Sequence, residues 1–137
     1  MNGADVSKQL SEITSNDDLD NKVDDLAKNW VNAGIGLDAV EPILRYMELN
    51  PLWDFGMPGA LVHFVERYYG KGYERLLVES FSRRPTPHTA WMLNRVINGE
   101  KDSATRGRYL DLLKQAMQRN DLDNITHDQL KEFLSLH

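Results

Sequence analysis

One histidine and one glutamate of this chain have a spacing that could bind a metal. His63 and Glu66 are three residues apart, so on a helix their side chains lie on the same face. Two such pairs on facing helices, with further carboxylates, form the di-metal sites of helix bundles. A metal-dependent enzyme is thus one hypothesis, but here there is a single pair, and we favour a packed histidine with a surface or hydrogen-bonded glutamate. We expect no metal and no other cofactor. The remaining histidines have no ligand spacing among themselves: His88, His127 and His137.

Motifs for nucleophilic catalysis and phosphate binding are missing. A serine or threonine nucleophile needs an activating base, yet the chain has no Gly-x-Ser-x-Gly element and no Ser-x-x-Lys arrangement. Gly34-Ile35-Gly36 lacks the third glycine of a dinucleotide-binding loop, and Gly70-Lys71-Gly72 lacks the rest of a phosphate loop. Both indicate helix ends. We therefore expect no catalytic residue, no enzyme activity and no small-molecule ligand.

Charge is unevenly distributed along the 137 residues, whose formal net charge is -5. Residues 1–54 contain 4 Lys/Arg against 11 Asp/Glu, a net of -7, whereas residues 55–137 contain 12 against 10, a net of +2. Such asymmetry can indicate a partner of opposite charge. The alternative is a solvated helix face whose acids lie near the helix N-terminus, where the helix dipole favours them. The candidate binding acids are Asp17, Asp18, Asp20, Asp24, Asp25, Glu41 and Glu48.

The second part of the chain contains a loosely basic region near Trp91. It could contact nucleic acid or an acidic partner. The chain as a whole is not basic, which argues against nucleic acid, and arginines in a last helical turn also complement the helix dipole. We favour a structural role and expect no nucleic-acid partner. The arginines are Arg83, Arg84, Arg95, Arg106 and Arg108.

Residues 50–59 form the most distinctive segment, long for a connection between helices and rich in proline, glycine and aromatic residues. It could be an exposed recognition edge. The alternative, which we favour, is a rigid loop that folds back over a helix pair to bury Trp53 and Phe55.

Apolar residues recur at helical spacing nearly everywhere, and no segment alternates as a strand would. Helix starts are indicated at Ser15 or Asn16 and at Thr86-Pro87, and capping boxes at Asp38/Glu41 and Thr126/Gln129. The spacing predicts seven or eight helices with three antiparallel pairs at about 38–69, 73–98 and 103–135. The fold class is all-α, with antiparallel helix pairs stacked in a HEAT-like or irregular bundle; a plain globular bundle is the alternative. We expect one helical domain over residues 1–137, with a frayed first helix within 1–16.

Composition restricts the compartment and the class of protein. With no cysteine, the chain is neither a disulfide scaffold nor a thiol enzyme. No run approaches the ~18 apolar residues of a transmembrane helix, and residues 1–13 lack the apolar centre of a signal peptide. We expect a cytoplasmic protein with no membrane partner.

Two runs of sequence resemble a known group of proteins. The first comprises Asn50-Pro51, Asp54-Phe55-Gly56, Pro58-Gly59 and residues 61–66; the second comprises residues 82–86, Thr89 and residues 91–95. Over about residues 38–115, the chain resembles small all-helical immunity proteins of bacterial polymorphic toxin systems, including those of contact-dependent growth inhibition. The resemblance implies a cytoplasmic protein that binds one cognate toxin domain tightly and blocks it. It supplies no catalytic residues.

The acidic first part of the chain agrees with this implication. Nuclease toxins tend to be basic because they bind phosphate backbones, and opposite charge speeds association. We therefore expect an immunity protein that neutralises a cognate toxin domain, a basic nuclease. A helical-repeat adaptor without a toxin partner is the alternative.

Overall fold

In the computed structural model, which describes residues 1–137, the chain forms eight α-helices and no strand. The all-α class expected from the apolar spacing is confirmed. None of the helices combines the length and the apolar character needed to cross a membrane. The helices are α1 Gly3–Ser11, α2 Asn16–Asn32, α3 Val40–Leu49, α4 Gly59–Glu66, α5 Tyr73–Arg83, α6 Pro87–Gly99, α7 Ser103–Met117 and α8 Asn124–Ser135, with a 3₁₀ turn at Leu37–Ala39.

Short polar side chains define several helix starts, as the sequence predicts. The Ser15 hydroxyl accepts a hydrogen bond from the Asp17 amide at 3.2 Å, which caps α2. Thr86 and Thr89 form a reciprocal capping box ahead of Pro87 at the start of α6. Such caps satisfy amides that have no partner inside the helix.

Two predicted capping boxes are wrong. At Asp38/Glu41, the 3₁₀ turn leads directly into α3, which starts at Val40 with no side-chain cap. At Thr126/Gln129, the helix begins earlier, because Asp123 caps α8 by accepting from the Thr126 amide at 2.7 Å. An aspartate three residues upstream thus takes the role expected of Thr126.

The helices pack mainly against elements two places away or against their direct successors. α3 lies between α1 and α5, α4 packs on α2, and α6 packs on α8. The expected pairs within 73–98 and 103–135 are present as α5 with α6 and α7 with α8. The expected pair within 38–69 is wrong, since α3 and α4 are not main packing partners. Residues 50–58 separate them and let α4 dock on α2 instead.

A single cluster of 31 buried apolar residues forms the core. Trp30, Tyr73 and Phe81 are its largest fully buried side chains. Val6 and Leu10 of α1 belong to it, and Gln9 accepts a hydrogen bond from the Trp30 indole at 2.7 Å. These contacts argue for a docked first helix where the sequence led us to expect a frayed one.

Candidate functional site

Five of the seven candidate acids lie on α2, and all five are exposed. None of the five forms an ion pair with another side chain of the protein. Only the first two lie in the first turn of the helix, and the stabilising effect of the dipole falls off beyond that turn. The helix dipole therefore explains two of the five acids and leaves three. The five are Asp17, Asp18, Asp20, Asp24 and Asp25.

These aspartates form two adjacent groups on the exposed face of α2. At about 100° per residue, Asp17, Asp20 and Asp24 lie within a sector of about 60° on one side of the buried stripe. Asp18 and Asp25 lie together on the other side. We call the first group the α4-side flank, because Asp24 shares a groove with residues of α4. The second group is the far flank.

Glu48 is not part of an acidic surface, and its assignment to one is wrong. It is 8% exposed and accepts hydrogen bonds from the Arg83 guanidinium at 2.7 and 3.1 Å and from the Ser80 hydroxyl at 2.8 Å. Hydrogen bonding to Glu48 raises the pKa of Arg83 above its ordinary value. This ion pair joins α3 to α5. Glu41, by contrast, is exposed and lies 3.4 Å from Arg45, one turn along α3.

Protein side chains hold the glutamate of the His63 and Glu66 pair. The Glu66 carboxylate accepts two hydrogen bonds from Arg95, each at 2.8 Å, and one from the Tyr69 hydroxyl at 2.6 Å. Burial alone would raise the pKa of Glu66, but the bonds from Arg95 and Tyr69 outweigh it and lower that pKa. No group of three or more potential metal ligands occurs in the structure. Glu66 joins α4 to α6, and His63 lies exposed on the groove between α2 and α4.

The basic region has mainly structural contacts, as we favoured. Arg83 and Arg95 are held by Glu48 and Glu66, and the Arg95 guanidinium lies 5.0 Å from the Trp91 ring centre. Arg119, which the sequence did not single out, donates to the carbonyls of Ser82 and Arg83 at the end of α5. Arg106 lies near His137, Arg108 donates to Thr105, and Arg84 is exposed.

The inner side of segment 50–59 folds back as we favoured. Phe55 is buried, and its ring contacts Tyr46 and His88 edge to face, with centroids 6.2 and 5.3 Å apart. Trp53 is half-buried against Tyr46 at 6.0 Å. The Asp54 carboxylate accepts from the Gly56 amide at 2.9 Å. The loop is thus fixed by a stack of aromatic rings beneath it.

The outer side of the same segment is exposed and apolar. A groove of about 230 Å³ lies between the loop and the starts of α6 and α8. Met57 at its edge is 80% exposed, Ile125 is 58% exposed and Leu52 is 55% exposed, while Trp53 and Trp91 are half-buried. The folded-back interpretation therefore describes the inner side of the segment, and the exposed-edge interpretation describes its outer side. We call this feature the loop groove; it is lined by Pro51, Leu52, Trp53, Asp54, Gly56, Met57, Pro87, His88, Trp91, Ile125 and Gln129.

His88 is an uncharged member of the loop-groove lining at neutral pH. Burial lowers its pKa to about 4, although the nearby Asp54 carboxylate acts in the opposite direction. Its Nε2 atom is buried and has no hydrogen-bond partner. A neutral imidazole between two aromatic rings behaves here as a further aromatic packing group. Asp54 is therefore the only charged residue of the groove.

The loop groove and the α4-side flank of α2 are neighbours. The Asp54 amide donates to the Asn16 side chain at 3.2 Å, at the start of α2. About two turns further along α2, Asp24 lines a groove of about 480 Å³ together with Ala60 of α4. Residues 54–60 thus run beside the acidic first half of α2, and Met57 lies between these two points of the chain.

Sequence reasoning did not single out Ile125. The usable signal was its position off the apolar stripe of α8, because Leu130 and Phe133 are buried whereas Ile125 is not. Met57 carries a similar signal: it is a large apolar residue between Gly56 and Pro58, where no helix can bury it. Ile125 and Met57 line one groove only in the folded structure, where α6, α8 and the loop meet.

The molecule is an all-α bundle that carries an acidic helix, α2, and an apolar groove at its surface. Comparison of the chain with protein-family models, with curated proteins and with solved structures finds no match.

Proposed function

We propose that this chain is an immunity protein that binds a cognate toxin domain in the cytoplasm and neutralises it, and that it is not an enzyme. The toxin in this proposal is basic, as nucleases are. The observation that carries the proposal is the set of five exposed aspartates on α2, none of which has an ion-pair partner within the protein. The sequence resemblance to immunity proteins supports the same partner.

The net charge of α2 suits an external basic partner. Asp20 and Asp24 are four residues apart, and like charges at that spacing destabilise a helix by a few tenths of a kcal/mol, which Lys28, four residues after Asp24, offsets in part. A basic protein surface would attract both aspartates and so offset the repulsion between them. It would also accelerate encounter, because opposite potentials raise the association rate more than they raise the affinity. Rapid capture is what neutralising a lethal enzyme requires.

Co-expression with the toxin domain encoded by the adjacent upstream gene tests the proposal. We expect the wild-type chain to co-purify with that domain and to restore growth. The quadruple variant D18N/D20N/D24N/D25N removes four charges from α2 and should bind at least tenfold more weakly at low salt. Its matched control, D38N/D111N/D128N/E132Q, removes four exposed charges elsewhere and should stay within about threefold of wild type.

Each alternative outcome has a distinct meaning. A wild-type chain that neither binds the domain nor protects cells would refute the immunity function. Binding without protection would favour the adaptor alternative. Equal losses in the two quadruple variants would show that net charge, and not the surface of α2, determines binding.

A further inference from the structure

We propose that the partner docks with one bulky apolar side chain in the loop groove and with flanking lysines or arginines on the α4-side flank of α2. This inference rests on the immunity function proposed above and names the surface and the chemistry of its contact. The occupant is therefore a basic protein surface with an apolar anchor, and the far flank of α2 lies outside the contact.

The composition of the loop groove is that of the centre of an interface. Its apolar edge residues, Leu52, Met57 and Ile125, are all more than half exposed, and two tryptophans lie beside them. Tryptophan and methionine are enriched at interface centres, whereas charged residues are depleted there. Asp54 is the only charged residue of the groove. A groove lined mainly by apolar and aromatic side chains accepts a bulky apolar side chain.

The shape of the loop groove is fixed before any partner binds. Phe55 packs beneath the loop between Tyr46 and His88. Gly56 has a φ of 91°, and a Cβ atom at that position would lie 2.6 Å from the Gly59 Cα atom. A loop tied down in this way loses little conformational entropy on binding. The pocket is thus preorganised for an anchor.

Charge next to the groove decides between the possible occupants. The helix that carries Asp17, Asp20 and Asp24 meets the loop at Asn16, and Asp24 itself lines the groove between α2 and α4. A second copy of this chain that docked by two-fold symmetry would bring these acids toward their own equivalents, which like-charge repulsion opposes. A partner with lysines or arginines around its apolar anchor meets the same acids with opposite charge.

Two matched pairs of variants test the surface with the adjacent-gene toxin domain as the probe. M57S/I125S removes two exposed apolar side chains from the groove; its control, L49S/L136S, removes two that are 77% and 66% exposed elsewhere. We expect M57S/I125S to raise Kd by about tenfold or more and the control to change it by less than about twofold. At about 0.15 M salt, where screening acts over about 8 Å, D20N/D24N should raise Kd about fivefold, an effect that about 1 M salt abolishes, whereas D18N/D25N should leave Kd within about twofold.

The outcomes separate this inference from the proposed function. If wild type binds and M57S/I125S binds equally well, the loop groove is not the contact, although the immunity function stands. If D18N/D25N raises Kd as much as D20N/D24N does at about 0.15 M salt, the assignment to one flank is wrong. Sedimentation of the chain alone provides the last check: a wild-type dimer that M57S/I125S converts to monomers would assign the groove to a second copy and overturn the proposal.

Discussion

Replacing Glu48 by glutamine should destabilise the protein without weakening its binding to the toxin domain. The carboxylate of Glu48 accepts two hydrogen bonds from Arg83 and one from Ser80, all between 2.7 and 3.1 Å. Breaking a fully buried ion pair costs roughly 3–5 kcal/mol. The Arg83 side chain is 29% exposed, so water can take over part of its solvation. We therefore expect Glu48→Gln to lower the free energy of unfolding by about 2–3 kcal/mol.

Urea unfolding followed by tryptophan fluorescence measures this loss directly. For a chain of this size the loss corresponds to a fall in Tm of roughly 6–12 °C. The matched control is Glu41→Gln, which removes an exposed acid one turn from Arg45 on the same helix and should cost less than about 0.5 kcal/mol. A Glu48→Gln variant as stable as the wild type but slower or weaker in toxin binding would refute the structural role and restore Glu48 to the binding surface.

Four further outcomes can be measured on the purified chain. Burial lowers the pKa of His88 to about 4, so the folded protein holds this imidazole neutral and loses stability as pH falls below the ordinary pKa of 6.5. In urea titrations, the wild type should lose about 1–2 kcal/mol more than His88→Gln between pH 7 and pH 5. The lowered pKa of Glu66 contributes stability that is present above the ordinary value and is lost as pH falls through the folded-state pKa, so unfolding of Glu66→Gln should depend less on pH below about 5 than unfolding of wild type. Thr86→Ala removes the buried cap of α6 and should cost about 1–2 kcal/mol, whereas Ser103→Ala, in the exposed first turn of α7, should be nearly neutral. D20N/D24N should change the stability of the isolated protein by less than about 0.5 kcal/mol, because the repulsion between the two acids is offset by Lys28, four residues after Asp24, and a larger loss of stability would mean that these acids have an internal role.

The helices and several of their starts could be predicted because their causes are local. Thr86 followed by Pro87 is a cap residue followed by proline at the first helical position, and the structure starts α6 at Pro87. The spacing of Leu19, Val23 and Trp30 identifies the buried stripe of α2 in the same way. The errors at Asp38 and Thr126 are also local, since each helix there has a competing start a few residues away.

The ion pairs could not be predicted, because each joins residues distant in sequence. Glu48 and Arg83 are 35 residues apart, and Glu66 and Arg95 are 29 apart. Taken singly, each of these residues is a charged residue on a helix. The packing of α3 on α5 brings Glu48 to Arg83, and the long Arg95 side chain reaches from α6 to Glu66 on α4. The loop groove has the same origin, since Ile125 reaches it from α8 and Met57 from the loop. Pairing and grooves depend on tertiary packing, which apolar spacing alone does not specify.

Removing Glu48 from the candidate surface strengthens the case for the aspartates of α2. Glu48 and Glu66 each form an ion pair with an arginine on another helix, so the fold alone explains their presence. The aspartates of α2 connect nothing, and only Asp17 and Asp18 lie where the helix dipole rewards an acid. Asp20 and Asp24 lie four residues apart on the α4-side flank, and α2 contacts the loop that forms the exposed apolar groove through Asn16. Repulsive charge next to exposed apolar surface stabilises no monomer, and a single basic partner with an apolar anchor would relieve both costs at once.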